Sequence, residues 1–251
     1  MAVIIKTASE IESMRKSGKI LAKVLEETLL QIKPGVSTKE LDIFAEELIA
    51  KHNAKASFKG FKGFPSSLCV CINEEIVHGL PSTKKIIQEG DLVTIDCGVF
   101  FEGMHTDAAR SIQVGPQTKQ IQQMLEVANK ALAAGISQAI SGNFTNDISA
   151  AIEKEIKSGP YHIIHELTGH GVGKKVHEDP SINNYVDRRE KNMRLEIGMT
   201  LAIEPIFAMG SSKLFTGSDK WTLITQDLST AIQVEETIVI TEKGPEILTK
   251  I

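Results

Sequence analysis

Five side chains of metal-ligand type, Asp96, Asp107, His170, Glu204 and Glu235, lie among apolar or glycine residues and not in polar loops. No other feature of the chain restricts its fold as much. A carboxylate inside a buried strand is costly unless a cation or a hydrogen-bond network compensates it. A fold that buries these segments therefore has to gather the acids around positive charge. Asp96 lies in Asp91-Leu-Val-Thr-Ile-Asp-Cys-Gly-Val-Phe100, whose alternation reads as a strand. Asp107 follows the glycine-containing turn Phe101-Glu-Gly-Met-His-Thr106 and precedes a second strand, Ala108–Val114. A hairpin would bring the two acids together across neighbouring strands. His170 sits in Gly169-His-Gly-Val-Gly173, where glycines allow close backbone approach. Glu204 ends the apolar strand Thr200-Leu-Ala-Ile-Glu before Pro205, and Glu235 lies in the strand-like run Ala231–Thr241.

Four acids carry the charge that two divalent cations would neutralise. Hard oxygen ligands with one imidazole suit a dinuclear Mn, Fe, Co or Zn centre better than a thiolate zinc site or a calcium loop. The chemistry such a centre supports is activation of water for hydrolysis. A dinuclear phosphoesterase is one alternative, but no strand-to-helix glycine loop for phosphate is present, nor extra histidines or lysines around the carboxylates. Cys69-Val-Cys71 has no second cysteine pair to make a metal motif. With Cys97 the three thiols cannot all pair, and reduced cysteines in the cytosol are expected.

Seven stretches, in order, resemble the type I methionine aminopeptidases, the short bacterial-type form of the pita-bread metallopeptidases. They are Ile72-Asn-Glu-Glu-Ile-Val-His-Gly-Leu-Pro81, Thr94-Ile-Asp-Cys-Gly98, His105-Thr-Asp-Ala-Ala109, Gly169-His-Gly-Val-Gly173, His177-Glu-Asp-Pro180, Ala202-Ile-Glu-Pro205 and Gln233-Val-Glu-Glu-Thr237. The likeness runs from about Ile4 to Leu248. It implies an α+β pita-bread fold: a pseudo-two-fold antiparallel sheet, helices packed on one face and a dinuclear metal site at the centre. It also implies that Asp107 and Glu235 bridge two divalent ions (Co, Mn, Fe, Zn or Ni). Asp96 completes one coordination sphere, while His170 and Glu204 complete the other. His78 would lie near the scissile nitrogen and His177 at the carbonyl oxygen, both contacting substrate without binding metal, with Glu204 as general base. Phe58, Phe61, Phe64, Cys69, Val176 and Trp221 would surround the first residue of the substrate.

The implied activity is metal-dependent removal of an N-terminal initiator methionine from nascent proteins when the second residue is small. Met1-Ala2 fits that rule, so a mature form beginning at Ala2 is expected. Some pocket residues depart from many relatives. Phe61 and Phe64 stand where tyrosines are common, Val176 where a larger aromatic is common, and Glu236 where a histidine is frequent. On a strand, Glu236 should face away from Glu235. His52, His105, His162 and His165 carry no comparable context. Two readings share the fold: a proline-directed aminopeptidase or dipeptidase, which usually carries a large N-terminal domain, and a non-catalytic polypeptide-binding protein, which would have lost ligands. The short interval between His177 and Glu204 leaves no room for the insertion of the type II enzymes.

Length and charge agree with one large core. At 251 residues and 41% hydrophobic content, a single domain spanning 1–251 is expected. A net charge of −4 gives no electrostatic case for DNA, and no apolar run approaches a membrane span. The partners expected are N-termini of nascent polypeptides near the ribosome, the compartment is the cytoplasm, and the chain is expected to act as a monomer.

Periodicity predicts two helices from Thr7 and Ser37, each opened by a capping-box pattern with Glu10 or Glu40, and two more over Thr118–Ile140 and Thr145–Ile156. Strands are predicted near 67–72, 92–99, 108–114, 161–166, 199–204, 222–226 and 231–240, with a last short one after Glu242, in two similar halves around one sheet.

Overall fold

The computed structural model describes residues 3–250, so the expectation about Met1-Ala2 lies outside the described residues. Helix α1 (Ala8–Leu29) begins where Thr7 Oγ1 accepts the Glu10 N–H and the Glu10 carboxylate accepts the Thr7 N–H. Helix α2 (Thr38–Lys51) begins on the same reciprocal pair between Ser37 and Glu40. Each box satisfies amide donors that a helix start otherwise leaves open. Helices α3 (Lys119–Gln138) and α4 (Thr145–Ile156) match the predicted spans to within two residues.

The strands are β1 (Lys55–Ala56), β2 (Leu68–Ile72), β3 (Glu75–Val77), β4 (Leu92–Phe101) and β5 (Met104–Gln113) in the first half. The second half contributes β6 (His162–Ile163), β7 (Thr168–Gly171), β8 (Glu178–Asn183), β9 (Thr200–Ile203) and β10 (Ile206–Ala208). It continues with β11 (Leu214–Thr216), β12 (Leu223–Thr225), β13 (Ala231–Gln233), β14 (Glu236–Thr241) and β15 (Gly244–Ile247). All strand pairings among the described residues are antiparallel. Each half supplies a helix pair followed by strands. Leu21, Leu25, Leu41 and Ile49 of α1 and α2 pack with Val70, Val93 and Ile95 in one core. Met124, Leu132, Ile148 and Ile152 of α3 and α4 pack with Leu201, Ile203, Phe207 and Ile238 in the other.

Among the described residues, four hydrogen-bonded sheets stand where one was expected. The predicted strand over 231–240 is interrupted at Val234-Glu235, and that over 199–204 resumes after Glu204-Pro205 as β10. At this point two chain segments change sheets together. β9 pairs with β14 on one side and β10 with β13 on the other. Pro205 has no N–H to continue a ladder. The Glu235 N–H instead donates to Ala109 O of β5 at 3.1 Å, so Glu235 leaves its own ladder and joins the first half. The predicted strand over 161–166 shortens to two residues. β1, β3, β7, β8, β10 and β11 were not predicted: all but β8 have two to four residues, and β1, β3 and β10 pair with strands distant in sequence.

Candidate metal centre

The β4–β5 hairpin is set by Glu102 and Gly103, which take φ of 47° and 83° in a two-residue turn. Both residues at positive φ give the hairpin geometry that matches strand twist. This turn fixes a register in which Asp96 faces Ala109 and Asp107 faces Gly98. The two acids are then diagonal neighbours on one face. Thr237 Oγ1 accepts the Asp107 N–H at 2.9 Å and donates to the Asp107 carbonyl at 2.7 Å, locking that strand to β14. Glu204 is held by its carbonyl, which accepts from Asn184 Nδ2 at 3.0 Å. Behind Glu235, Arg110 donates to the Glu235 carbonyl at 2.7 Å and to Glu236 Oε1 at 2.8 Å. Glu236 thus points away from the pocket, as its place on the strand required.

The five predicted ligands line one cavity of about 280 Å³. Atoms of Asp107, His170 and Glu235 that could bind a metal lie within 4.8 Å of one another. His170 Nδ1 is 2.8 Å from the Gly171 carbonyl, so that nitrogen carries the proton and Nε2 offers its lone pair, 3.6 Å from Glu204 Oε1. Burial lowers this imidazole to about 4, leaving it neutral near pH 7. All four carboxyls are raised, with burial the first cause. Asp96 rises to about 7, and Asp107, Glu204 and Glu235 rise well above the ordinary range, each pushed further by its neighbours' charges. Asp96 Oδ1 and Asp107 Oδ1 are buried without a hydrogen-bond partner. Acceptors left open and mutually repelling acids fit divalent cations, whose positive charge satisfies both at once. The donor set fits the group that the sequence implied.

His78 and His177 reach the same cavity. His78 takes φ of 56°, an uncommon conformation for a residue other than glycine, at the turn after β3. The His177 ring lies 4.2 Å from that of His170 and stacks on Phe61 at 5.4 Å. Burial, with help from His170 and Lys62, lowers His177 to about 3 and keeps it neutral. Phe58, Phe61, Phe64, Cys69 and Trp221 line one part of the cavity, with Phe64 and Trp221 edge to face at 5.2 Å. Val176 packs into the same apolar cluster but does not line the cavity.

A profile of metallopeptidase family M24 matches residues 12–242. The chain belongs to metallopeptidase family M24. Its sequence is 42% identical over 247 residues to a methionine aminopeptidase of Clostridium acetobutylicum, covering 98% of each chain. A methionine aminopeptidase structure from Thermotoga maritima superposes with a TM-score of 0.96 at 38% identity, covering all of both chains. The prolidase of Pyrococcus furiosus shares the fold at a TM-score of 0.81 and 27% identity, with 99% of this chain and 66% of that one covered. The M24 chain therefore stands with the methionine aminopeptidases: a pita-bread metalloaminopeptidase that binds divalent metal. Among its described residues no helix is long and apolar enough to cross a membrane.

Sequence reading missed several lining residues of this M24 site. Gln233 Nε2 donates to Glu204 Oε2 at 3.3 Å. Its signal was present, since two positions before Glu235 on an extended chain is the same face. Lys62, Val77, Glu166, Leu167 and Thr168 also line the cavity, and only tertiary packing brings them there. The four remaining histidines stay outside it. His105 Nδ1 is 2.9 Å from Ser57 Oγ, the His165 ring packs tilted against Tyr185 at 4.3 Å, His52 caps α2 and His162 is exposed. Cys69, Cys71 and Cys97 are buried free thiols.

Proposed function

We propose that the chain removes N-terminal methionine from polypeptides whose second residue is small, using two divalent ions held by Asp96, Asp107, His170, Glu204 and Glu235. The observation that carries this reading is the joining, in one cavity, of that donor set to an aromatic pocket containing Phe58, Phe61, Phe64 and Trp221. When bound, ions of the Co, Mn, Fe, Zn or Ni type lower the pKa of a water and polarise the scissile carbonyl. The protein supplies the rest. Glu204, as a carboxylate, takes the proton from the attacking water as the oxygen joins the carbonyl carbon. His177 is neutral and donates to the carbonyl oxygen as negative charge develops there. His78 hydrogen-bonds to the scissile nitrogen, which takes the proton held by Glu204 as its bond to the carbonyl carbon breaks and leaves as an amine. Asp96 receives the substrate's free α-amine, which restricts the reaction to chain ends.

Methionine suits the first position because an unbranched thioether fills an irregular aromatic pocket with little strain. A small second residue lets the scissile carbonyl sit against the ions and both histidines. Each misplaced methylene costs about 1–3 kcal/mol, enough for at least a tenfold preference. The natural substrates are nascent chains at the ribosome, the setting is the cytoplasm, and residues 1–251 act as one monomeric catalytic unit. Metal-reconstituted enzyme should release methionine from Met-Ala-Ser, cut Met-Leu-Ser at least tenfold more slowly and leave Ala-Pro-Ala intact. Cleavage of Ala-Pro-Ala with Met-Ala-Ser untouched would transfer the chain to the proline-directed class.

A further inference from the structure

Lys6 and Glu178 form an ion pair whose side chains are only 1% and 2% exposed, and neither residue lines the catalytic cavity. Glu178 follows His177 directly and opens β8, where it pairs with Gly171, the residue after His170. The two site histidines therefore stand at opposite ends of one hairpin connection, residues 172–177, with their rings 4.2 Å apart. The N-terminal segment grips this connection at several points. The Lys6 N–H donates to Gly198 O at 2.9 Å and its ammonium donates to Ile4 O at 3.1 Å, so the lysine is anchored to its own backbone. Glu178 Oε1 accepts the Lys175 N–H at 3.0 Å, folding the loop over the carboxylate. Lys6 Cε lies 2.4 Å from where a Cβ on Gly173 would stand, so the lysine stem rests on bare loop backbone. Lys174 Nζ reaches Glu10 Oε1, in the first turn of α1, at 2.7 Å.

We propose that Lys6 is a positioning residue for the reaction: through Glu178 it fixes the connection between His170 and His177, and with it the imidazole of His177. The proposal rests on the aminopeptidase reading. A buried ion pair is a poor source of stability compared with apolar packing, yet removing one partner leaves an uncompensated buried charge. Without the ammonium, the Glu178 carboxylate gains by turning toward water, and the backbone of His177 turns with it. A hydrogen-bond donor displaced by about 1 Å can cost roughly 10²-fold in rate. Binding of the substrate's first residue, which depends on the aromatic pocket, is touched much less.

The test combines Lys6→Met and Glu178→Gln with His177→Ala, whose own loss of turnover is expected to be roughly 10²–10³-fold. Lys6→Met should lower kcat on Met-Ala-Ser at least tenfold, with KM within about threefold and metal content, by elemental analysis, unchanged. Glu178→Gln is isosteric and keeps an acceptor for the Lys175 N–H, so it reads the same lost attraction if Lys6→Met fails to fold. In the His177→Ala background either change should alter kcat less than twofold, because a residue acting through His177 has nothing left to position. The NMR signal of the His177 ring should move in both single variants. Equal fold-losses in the two backgrounds, or unchanged kcat and an unmoved ring signal in folded variants, overturn the proposal. Should the unaltered enzyme leave Met-Ala-Ser intact, the aminopeptidase reading fails, and the ring signal still decides whether Lys6 places His177.

Discussion

At the scale of single residues, the centre is an arrangement of acids that repel one another and lack partners. Asp107 and Glu235 offer donor atoms within 4.8 Å of each other and of His170, and each is expected to bind both ions. Asp107→Ala should therefore remove both metals and nearly all activity, whereas Asp96→Ala should weaken one ion and spare the other. Elemental analysis of the purified variants checks this, and two tightly held ions in Asp107→Ala would contradict the bridging role. The five candidate donors were legible in the sequence because a titratable residue in an apolar or glycine-rich run demands a partner, and each stands in such a run. Lys62 and Glu166 were not legible, since an exposed lysine or glutamate in a loop looks the same whether or not a cavity opens beside it.

At the scale of elements, placement depends on close backbone contact as much as on side chains. A Cβ on Gly171 would lie 2.3 Å from Asp179 O, in the neighbouring strand β8. Gly171→Ala must therefore push β7 away from β8, and His170 is the adjacent residue. Overpacking of this kind costs about 1–3 kcal/mol, which for a chain of this size lowers Tm by roughly 2–4 °C per kcal/mol. A Tm reduced by several degrees with weakened metal binding is expected, and calorimetry with a metal titration reads both. Unchanged Tm and affinity would mean that the strands yield freely. The helices were predictable because capping boxes and helical periodicity are local. The short strands were not, because a run such as Thr168–Gly171 has little strand propensity of its own.

At the scale of the whole molecule, the fold accepts a large electrostatic cost at its centre and recovers it on binding metal. In metal-free protein the buried carboxyls have raised folded pKa values, so the native state binds more protons than the unfolded one and stability falls as pH rises. The buried histidines act oppositely, but only below their unfolded value of about 6.5. Above about pH 6.5 the histidine contribution is complete, and the carboxyls dominate the slope, with Asp96 titrating at about 7. Tm of the chelated protein should fall across that interval, and metal should raise Tm more at pH 8 than at pH 6.5. Scanning calorimetry at the two pH values decides it, and a metal-free Tm that rises with pH would reverse the assignment.

Local sequence alone made legible the five candidate metal donors, the helix starts and the hairpin that carries Asp96 and Asp107. These depend on residue chemistry, on hydrogen bonds within four residues, and on a two-residue turn. Tertiary structure decided where the sheet breaks. Glu204-Pro205 and Val234-Glu235 change sheets together: the Val234 N–H donates to Pro205 O, Glu235 pairs with Ala109 of β5, and the Glu204 carbonyl accepts from Asn184. It also decided that Lys6 reaches Glu178, a contact across 172 positions. Pairings of such range leave no periodic trace in a single chain, since their partners are chosen by the closing of the two halves around the site.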